Sequence, residues 1–218
     1  MVLGSGRDLA RPAATSTTGR GKSFARVAPR LAPTNPRAKG GLGHDHGDVR
    51  RVVILGRGGA GKSVLARQLG NVTGLPVIEL DSLFWQRGLT AADPAEWAER
   101  QRELVRREAW ILDGDLGPYD RALDVRLRAA DTIIVLDFTF LRCAWRTIRR
   151  GRERAGYWRW VWAYRRQSLP TIMRVIGQDA SHARVCVLRS PGMARRLVAD
   201  LRHEAGSATV DGNAGDPT

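Results

Sequence analysis

A glycine-rich loop that directly follows an apolar run is the feature that most limits what this chain can fold into. Residues 52–55 read VVIL, and residues 56–63 read GRGGAGKS, which fits the pattern G-x-x-x-x-G-K-S. Between a strand and a helix, such a loop wraps its backbone N–H groups around phosphate oxygens, and the helix N-terminus adds partial positive charge. The sequence therefore predicts a Walker A motif and a nucleoside triphosphate site.

The chemistry of the loop assigns a role to each part. Lys62 can reach the β- and γ-phosphates, and the Ser63 hydroxyl can ligate Mg²⁺. We therefore expect ATP and Mg²⁺ as cofactors. The predicted nucleotide-binding residues are Gly56, Gly58, Gly59, Ala60, Gly61, Lys62, Ser63 and Val64.

Apolar runs alternate with amphipathic segments along the chain, which predicts a parallel sheet covered by helices on both faces. The expected strands are residues 52–55, 76–80, 110–113, 132–136 and 185–188. The expected helices are residues 64–71, a segment opened by the N-cap Asp93 and Pro94, and residues 141–150, 157–176 and 191–204.

Composition divides the 218 residues into one domain and two tails. Residues 1–48 contain Pro, Gly, Ser, Thr and Arg without a sustained apolar period, so we expect a disordered basic arm. Residues 205–218 are similar, and we expect a disordered tail there. Residues 49–204 remain for a P-loop kinase-like domain, which is enough for a single core.

The formal net charge of +14 suits phosphorylated ligands, nucleic acid or an anionic membrane. The phosphate loop favours phosphates, so nucleic acid is a possible but not a favoured partner. No apolar run has the length of a membrane span, and we expect no membrane partner. Cys143 and Cys186 lie in apolar surroundings, which indicates free thiols and a cytoplasmic protein, expected as a monomer or weak dimer.

Three aspartates follow predicted strands, namely Asp81, Asp113 and Asp137. Ligands of parallel sheets bind beyond the carboxyl ends of the strands, so these carboxylates and the glycine loop converge on one edge. Asp113 is favoured as the carboxylate that holds Mg²⁺, with a cap on the turn at Gly114 as the alternative. Asp137 is the rival for the metal.

Arginines cluster after the fourth strand. Arg146 and Arg150 are four residues apart, hence on one helical face, and Arg165 and Arg166 form a second pair. Guanidinium forks match phosphoryl oxygens, which predicts that they clamp a triphosphate. A solvated face or a nucleic-acid patch is the alternative for each of them.

The chain resembles the P-loop proteins known as DNA topology modulation proteins, which are similar to adenylate kinase. The resemblance covers about residues 51–201. Besides the phosphate loop it rests on LPVIELD at 75–81 followed by LFW at 83–85, WILDG at 110–114, LDVRL at 123–127, ADTII at 130–134, WAYRR at 162–166 and VLRS at 187–190.

This resemblance implies a three-layer α/β/α fold with a five-stranded parallel core, like that of nucleoside monophosphate kinases, an acceptor site and a mobile lid. It implies that Asp81, Phe84 and Trp85 face the acceptor and that Arg126 binds the acceptor's phosphate. It also implies that Asp113 serves the metal and that the two arginine pairs close on the phosphates. Lys62, Asp113, Arg126, Arg146, Arg150, Arg165 and Arg166 form the expected catalytic set.

The chain departs from the family pattern at the acceptor side and in the lid. Asp-Gly-Asn-Tyr of the family is replaced by DGDL at 113–116, which adds a negative charge. The lid, about residues 150–158, is short, so turnover is expected to be slow or hydrolytic. The leading interpretation is an ATP-dependent kinase of a nucleotide or other small acceptor. The alternatives are a nucleotide-dependent nucleic-acid-binding protein and an ATP-binding pseudokinase with weak hydrolysis.

Overall fold

A computed structural model describes residues 49–85, 91–150 and 155–211 of the chain. The arm predicted for residues 1–48 lies outside these ranges, as does residue 212 onward of the predicted tail. In the described ranges no helix combines the length and the apolar character that a membrane crossing requires.

Five strands form one sheet in the order β2-β3-β1-β4-β5, and every neighbouring pair is parallel. The strand with the glycine loop at its end is central. Its position follows from its side chains, because a strand that is apolar on both faces must be covered on both. The strands are β1 (Arg51–Gly56), β2 (Val77–Glu79), β3 (Trp110–Asp113), β4 (Thr132–Leu136) and β5 (Arg184–Leu188).

Helices connect the strands on both faces of the sheet. α3 shows why they form where they do: Asp93 caps it by accepting hydrogen bonds from the backbone N–H groups of Ala95 and Glu96. The helices are α1 (Lys62–Thr73), α2 (Leu80–Phe84), α3 (Pro94–Val105), α4 (Leu123–Ala129), α5 (Phe140–Arg150), α6 (Ala155–Ala163), α7 (Ser168–Asp179) and α8 (Pro191–Asp211), with a 3-10 turn at Gly117–Tyr119.

Alternating residues of the central strand enter two separate hydrophobic cores. Val53 and Leu55 face one core, built with α2, α3, α4 and α7. Val52 and Ile54 face the other, built with α1, α5 and α8. All four side chains are almost completely buried. The predicted three-layer α/β/α fold of the nucleoside-monophosphate-kinase type, with five parallel strands, is confirmed.

Several boundaries differ from the sequence prediction, and α2 and α4 lie where no helix was predicted. β2 ends at Glu79, where its partner β3 ends at Asp113, and Leu80 already begins α2. The single helix predicted for residues 157–176 is wrong: α6 ends at Ala163 and α7 begins at Ser168. Pro170 in the first turn of α7 explains the break, because proline has no N–H and its ring clashes with the carbonyl four residues earlier. α8 runs to Asp211, past the expected end at Glu204.

Candidate nucleotide site at the carboxyl edge of the sheet

The glycine loop follows β1 and packs against α5. Gly59 and Gly61 have φ angles of 77° and 96°, in the left-handed region that favours glycine. A Cβ at Gly59 would also clash with the backbone carbonyl of Cys143 and the hydroxyl of Thr147 in α5. The loop therefore needs glycine both for its backbone turn and for its contact with α5.

Lys62 is the first residue of α1, and its side chain folds back across the loop. Its Nζ donates a hydrogen bond of 2.9 Å to the backbone carbonyl of Gly56. The ammonium group thus lies at the mouth of the loop, where the helix N-terminus also contributes partial positive charge. This is the arrangement that a polyphosphate requires.

Asp113 ends β3 next to the first turn of α1. It is 3% exposed, and the Ser63 side chain lies close enough to interact with its carboxylate. Burial raises the pKa of Asp113, while the Ser63 side chain and the nearby Lys62 charge work in the opposite direction. Its Oδ1 is buried and has no hydrogen-bond partner within the described part of the chain. A buried carboxylate oxygen without a partner, next to a hydroxyl, fits one side of a Mg²⁺ site.

A metal site made of side chains alone is not present: no three His, Cys, Asp or Glu residues of the described ranges are arranged to hold a metal ion. The Ser63 and Asp113 pair fits a Mg²⁺ that arrives with phosphate oxygens, which is the usual way this ion is held in phosphate sites.

Asp81 lies in the first turn of α2 and is open to solvent. The protein that surrounds its carboxyl group nevertheless displaces enough water to raise the pKa of Asp81; Lys62 opposes this shift, and the Asp113 and Asp115 charges add to it. These effects show that Asp81, Lys62 and Asp113 lie within electrostatic reach of one another, as predicted for strand ends at one edge of a parallel sheet.

Phe84 and Trp85 form an aromatic wall beside Asp81. Phe84 is buried against Trp97, with ring centroids 5.1 Å apart, so it belongs to the core. Trp85 is partly exposed and packs edge-on against Tyr119 at 5.5 Å. Of the two predicted acceptor contacts, only Trp85 is therefore accessible to a ligand.

Asp115, the added negative charge of the DGDL segment, is 7% exposed and satisfied by protein groups. It accepts hydrogen bonds from the backbone N–H groups of Gly56 and Gly117 and, at 2.8 Å, from the hydroxyl of Tyr164. Asp115 therefore ties the start of the phosphate loop to the segment that follows α6. Sequence reasoning placed its charge near the acceptor and missed this connecting role.

Arg126 lies at the same edge but is completely buried. Its guanidinium forms an ion pair with Asp120 and donates to the side chain of Gln101 at 3.1 Å and to the backbone carbonyl of Gly114 at 3.3 Å. In this arrangement both terminal nitrogens of the guanidinium hold protein groups, while Nε is buried and has no hydrogen-bond partner within the described part of the chain. The acceptor role of Arg126 stays a prediction.

The other predicted arginines are distributed around the loop. Arg146 in α5 donates to the carbonyl of Ala60 at 3.5 Å and lies beside Gly61. Arg165 is exposed and is held by Asp137 at 3.1 Å, and Arg166 is exposed. The side chain of Arg150 lies outside the described residues, as does most of the predicted lid.

Asp137, the rival for the metal, directly follows β4, on the opposite side of β1 from Asp113. One of its carboxylate oxygens accepts from Arg165, and the other, Oδ1, is buried without a partner in the described ranges, as is Oδ1 of Asp113. The nearby Ser63 side chain is the reason to prefer Asp113, and its metal role stays a prediction.

Comparison with known proteins supports the fold. No protein-family model and no curated protein matches the chain. Among solved structures, a shikimate kinase from Acinetobacter baumannii in complex with shikimate is similar, with 18% identity and a TM-score of 0.50 over 77% of this chain and 96% of that chain. A gluconokinase from Sinorhizobium meliloti is 16% identical over 74% of this chain and 97% of its own, with a TM-score of 0.45.

A sugar kinase from Janibacter is 19% identical, with a TM-score of 0.44 over 73% of this chain and 94% of its own. At these identities the likeness to the shikimate kinase shows a shared P-loop kinase fold, and it goes no further. The finer resemblance to DNA topology modulation proteins stays a prediction.

Proposed function

We propose that residues 49–204 form an ATP-dependent phosphotransferase that moves the γ-phosphoryl group of ATP to a small acceptor. The observation that carries this proposal is the joint placement of Lys62 over the glycine loop and of Asp113 beside Ser63. The buried carboxylate oxygen of Asp113 without a partner, next to the Ser63 hydroxyl, supports a site that takes ATP together with Mg²⁺, which phosphoryl transfer requires.

In the proposed reaction an acceptor oxygen attacks the γ-phosphorus, the bond to the β–γ bridging oxygen breaks, and ADP leaves. The transition state carries its charge on the equatorial oxygens of the phosphoryl group, so catalysis depends on positioning and charge stabilisation. Lys62 and Arg146 approach the loop from two sides and supply this stabilisation. Mg²⁺ bound by Ser63 and Asp113 would neutralise charge on the β- and γ-phosphates.

The acceptor side favours a hydroxyl compound over a phosphorylated one. Asp81, Asp113 and Asp115 form a group of carboxylates that repels an anion. The raised pKa of Asp81 suits a group that takes the proton of the attacking hydroxyl, and Trp85 offers an apolar wall next to it. The kinases of similar structure share only the fold with this chain, so their substrates do not identify its acceptor.

The test combines calorimetry of Mg·ATP binding with a screen of small acceptors using radiolabelled ATP. Lys62→Ala should lower phosphoryl transfer by about 10²–10³-fold, because it removes a charge that acts on the transferring group. Gln68→Ala, an exposed change in the same helix, is the matched control and should leave transfer unchanged. Full turnover by Lys62→Ala on any acceptor would show that the site is assigned wrongly.

A further inference from the structure

Three aromatic side chains of the α6 region, spaced three and four residues apart, lie on one helical face. Tyr157 and Trp160 belong to α6, and Tyr164 follows directly after it. We call these three residues the aromatic ladder. Ring centroids are 5.7 Å apart between Tyr157 and Trp160 and also between Trp160 and Tyr164, so each ring supports the next.

Each member of the aromatic ladder places its polar side-chain atom against a residue of the candidate site. The hydroxyl of Tyr157 lies so close to Gly58, the third residue of the phosphate loop, that a Cβ there would clash with it. The indole nitrogen of Trp160 lies in the same way against Gly117. Tyr164 donates its hydroxyl hydrogen bond to Asp115. α6 therefore contacts the nucleotide side and the acceptor side of the edge at once.

The lower end of the aromatic ladder is fixed. Tyr164 is 1% exposed, and its partner Asp115 also accepts from the backbone N–H of Gly56, where the phosphate loop begins. The position of the Tyr157 hydroxyl relative to the loop is thus set by a chain of contacts that starts on the loop itself. A donor held this firmly needs no rearrangement at the moment of reaction, which is the condition for effective charge stabilisation.

Resting on the proposed function, we propose that Tyr157 is a further catalytic residue, whose hydroxyl donates a hydrogen bond to the γ-phosphoryl group during transfer. The neutral phenol keeps its proton throughout and serves only as a donor to the equatorial oxygens. Gly58 has no side chain where the Tyr157 hydroxyl approaches, so the hydroxyl lies directly against the phosphate loop, whose backbone N–H groups bind phosphate in motifs of this kind.

Tyr157→Phe tests this role because it removes the hydroxyl and retains the ring contacts of the aromatic ladder. The probe is Mg·ADP with and without aluminium fluoride, which mimics the transferring phosphoryl group, with binding followed by calorimetry. We expect Tyr157→Phe to bind Mg·ADP like the wild type and Mg·ADP with aluminium fluoride about ten-fold more weakly, as for loss of one hydrogen bond to a charged group.

Trp162→Phe is the matched control, since Trp162 belongs to the same helix but is 64% exposed and has its ring contact with Phe140 rather than with a loop residue. It should bind both probes like the wild type. Equal or tighter binding of the aluminium fluoride complex by Tyr157→Phe would overturn the role of Tyr157 and leave the proposed function intact. Failure of the wild type to bind Mg·ADP at all would overturn both.

A kinetic measurement separates this role from a structural one. Once an acceptor is identified, Tyr157→Phe should lower kcat about ten-fold with little change in the KM for ATP, because the hydrogen bond forms only as transfer proceeds. A change confined to KM, or a lowered melting temperature with kcat preserved, would show that Tyr157 only supports the loop and would contradict the proposal.

Discussion

Two polar clusters lie side by side at the carboxyl edge of the sheet, and they differ in whether a buried charge is held in an ion pair with another protein group. In the open cluster, Lys62, Ser63 and Asp113 surround the loop, and the buried Oδ1 of Asp113 has no partner in the described ranges. In the closed cluster, Arg126 is completely buried and paired with Asp120 and Gln101.

This difference separates groups that await a ligand from groups that build the frame. A buried charged side chain that is paired inside the protein is held in place, because moving it would leave its partner as an uncompensated buried charge. A buried oxygen without a partner is costly unless something else binds it. We therefore assign ligand contact to the open cluster and support of the segment after β3 to the closed one.

The largest effect is expected where the closed cluster is broken. Arg126→Ala would leave the Asp120 carboxylate, whose side chain is 4% exposed, buried without its cation. We expect the free energy of unfolding to fall by about 3–5 kcal/mol, measured by urea denaturation.

Arg128→Ala is the matched control two residues along the same helix. Its side chain is 62% exposed and pairs with Asp124 and Asp179, so the expected loss is below about 1 kcal/mol. If both variants lost the same small free energy of unfolding, the ion pair of the closed cluster would not have the structural role that we give it.

In the open cluster, activity and stability should change separately. Asp113→Asn removes a carboxylate that burial disfavours, so the melting temperature should stay the same or rise, while Mg²⁺-dependent transfer should drop by about 100-fold. The comparison with Asp137→Asn decides between the two rival carboxylates. Asp137→Asn should leave the Mg²⁺ concentration dependence as in the wild type; the reverse result would move the metal to Asp137.

A smaller effect is expected at Tyr164, which links the phosphate loop to α6 through Asp115. Tyr164→Phe should cost about 1–2 kcal/mol, because the buried carboxylate loses a donor. Burial, reinforced by the Asp115 charge, raises the pKa of Tyr164 well above its usual value of 10. The unfolded chain therefore loses this proton first, so the difference between wild type and variant should shrink as the pH rises above about 10. A difference independent of pH would contradict this.

The sequence predicted the parts of the fold and site that depend on local pattern. Apolar runs placed all five strands, and the glycine loop placed Lys62 and Ser63 at the start of α1 because the motif fixes its own geometry. Asp113 could be predicted as well, since a residue that ends a parallel strand must lie at the edge where ligands bind.

The contacts that could not be predicted join residues that are far apart in the sequence. Nothing within the LDVRL segment indicates that Arg126 meets Gln101 and Asp120, and its predicted contact with the acceptor came from the family resemblance alone. The approach of Tyr157 to Gly58 was missed for the same reason, because it depends on how α6 lies on the sheet edge. The break before α7 had a local signal in Pro170, and the apolar periodicity obscured it.

Arg57, the second residue of the phosphate loop, is 2% exposed and lies between the rings of Phe140 and Tyr164, with its Cζ 5.9 Å and 5.6 Å from their centroids. A guanidinium in this place is shielded from dissolved ions, which screen surface arginines within about 10 Å at 0.1 M ionic strength. Added salt will weaken the attraction between a polyphosphate and the exposed arginines, such as Arg165 and Arg166. The attraction from the buried Arg57 will weaken less. The protein thus carries one anion-attracting charge that concentrated electrolyte weakens much less than it weakens the exposed arginines.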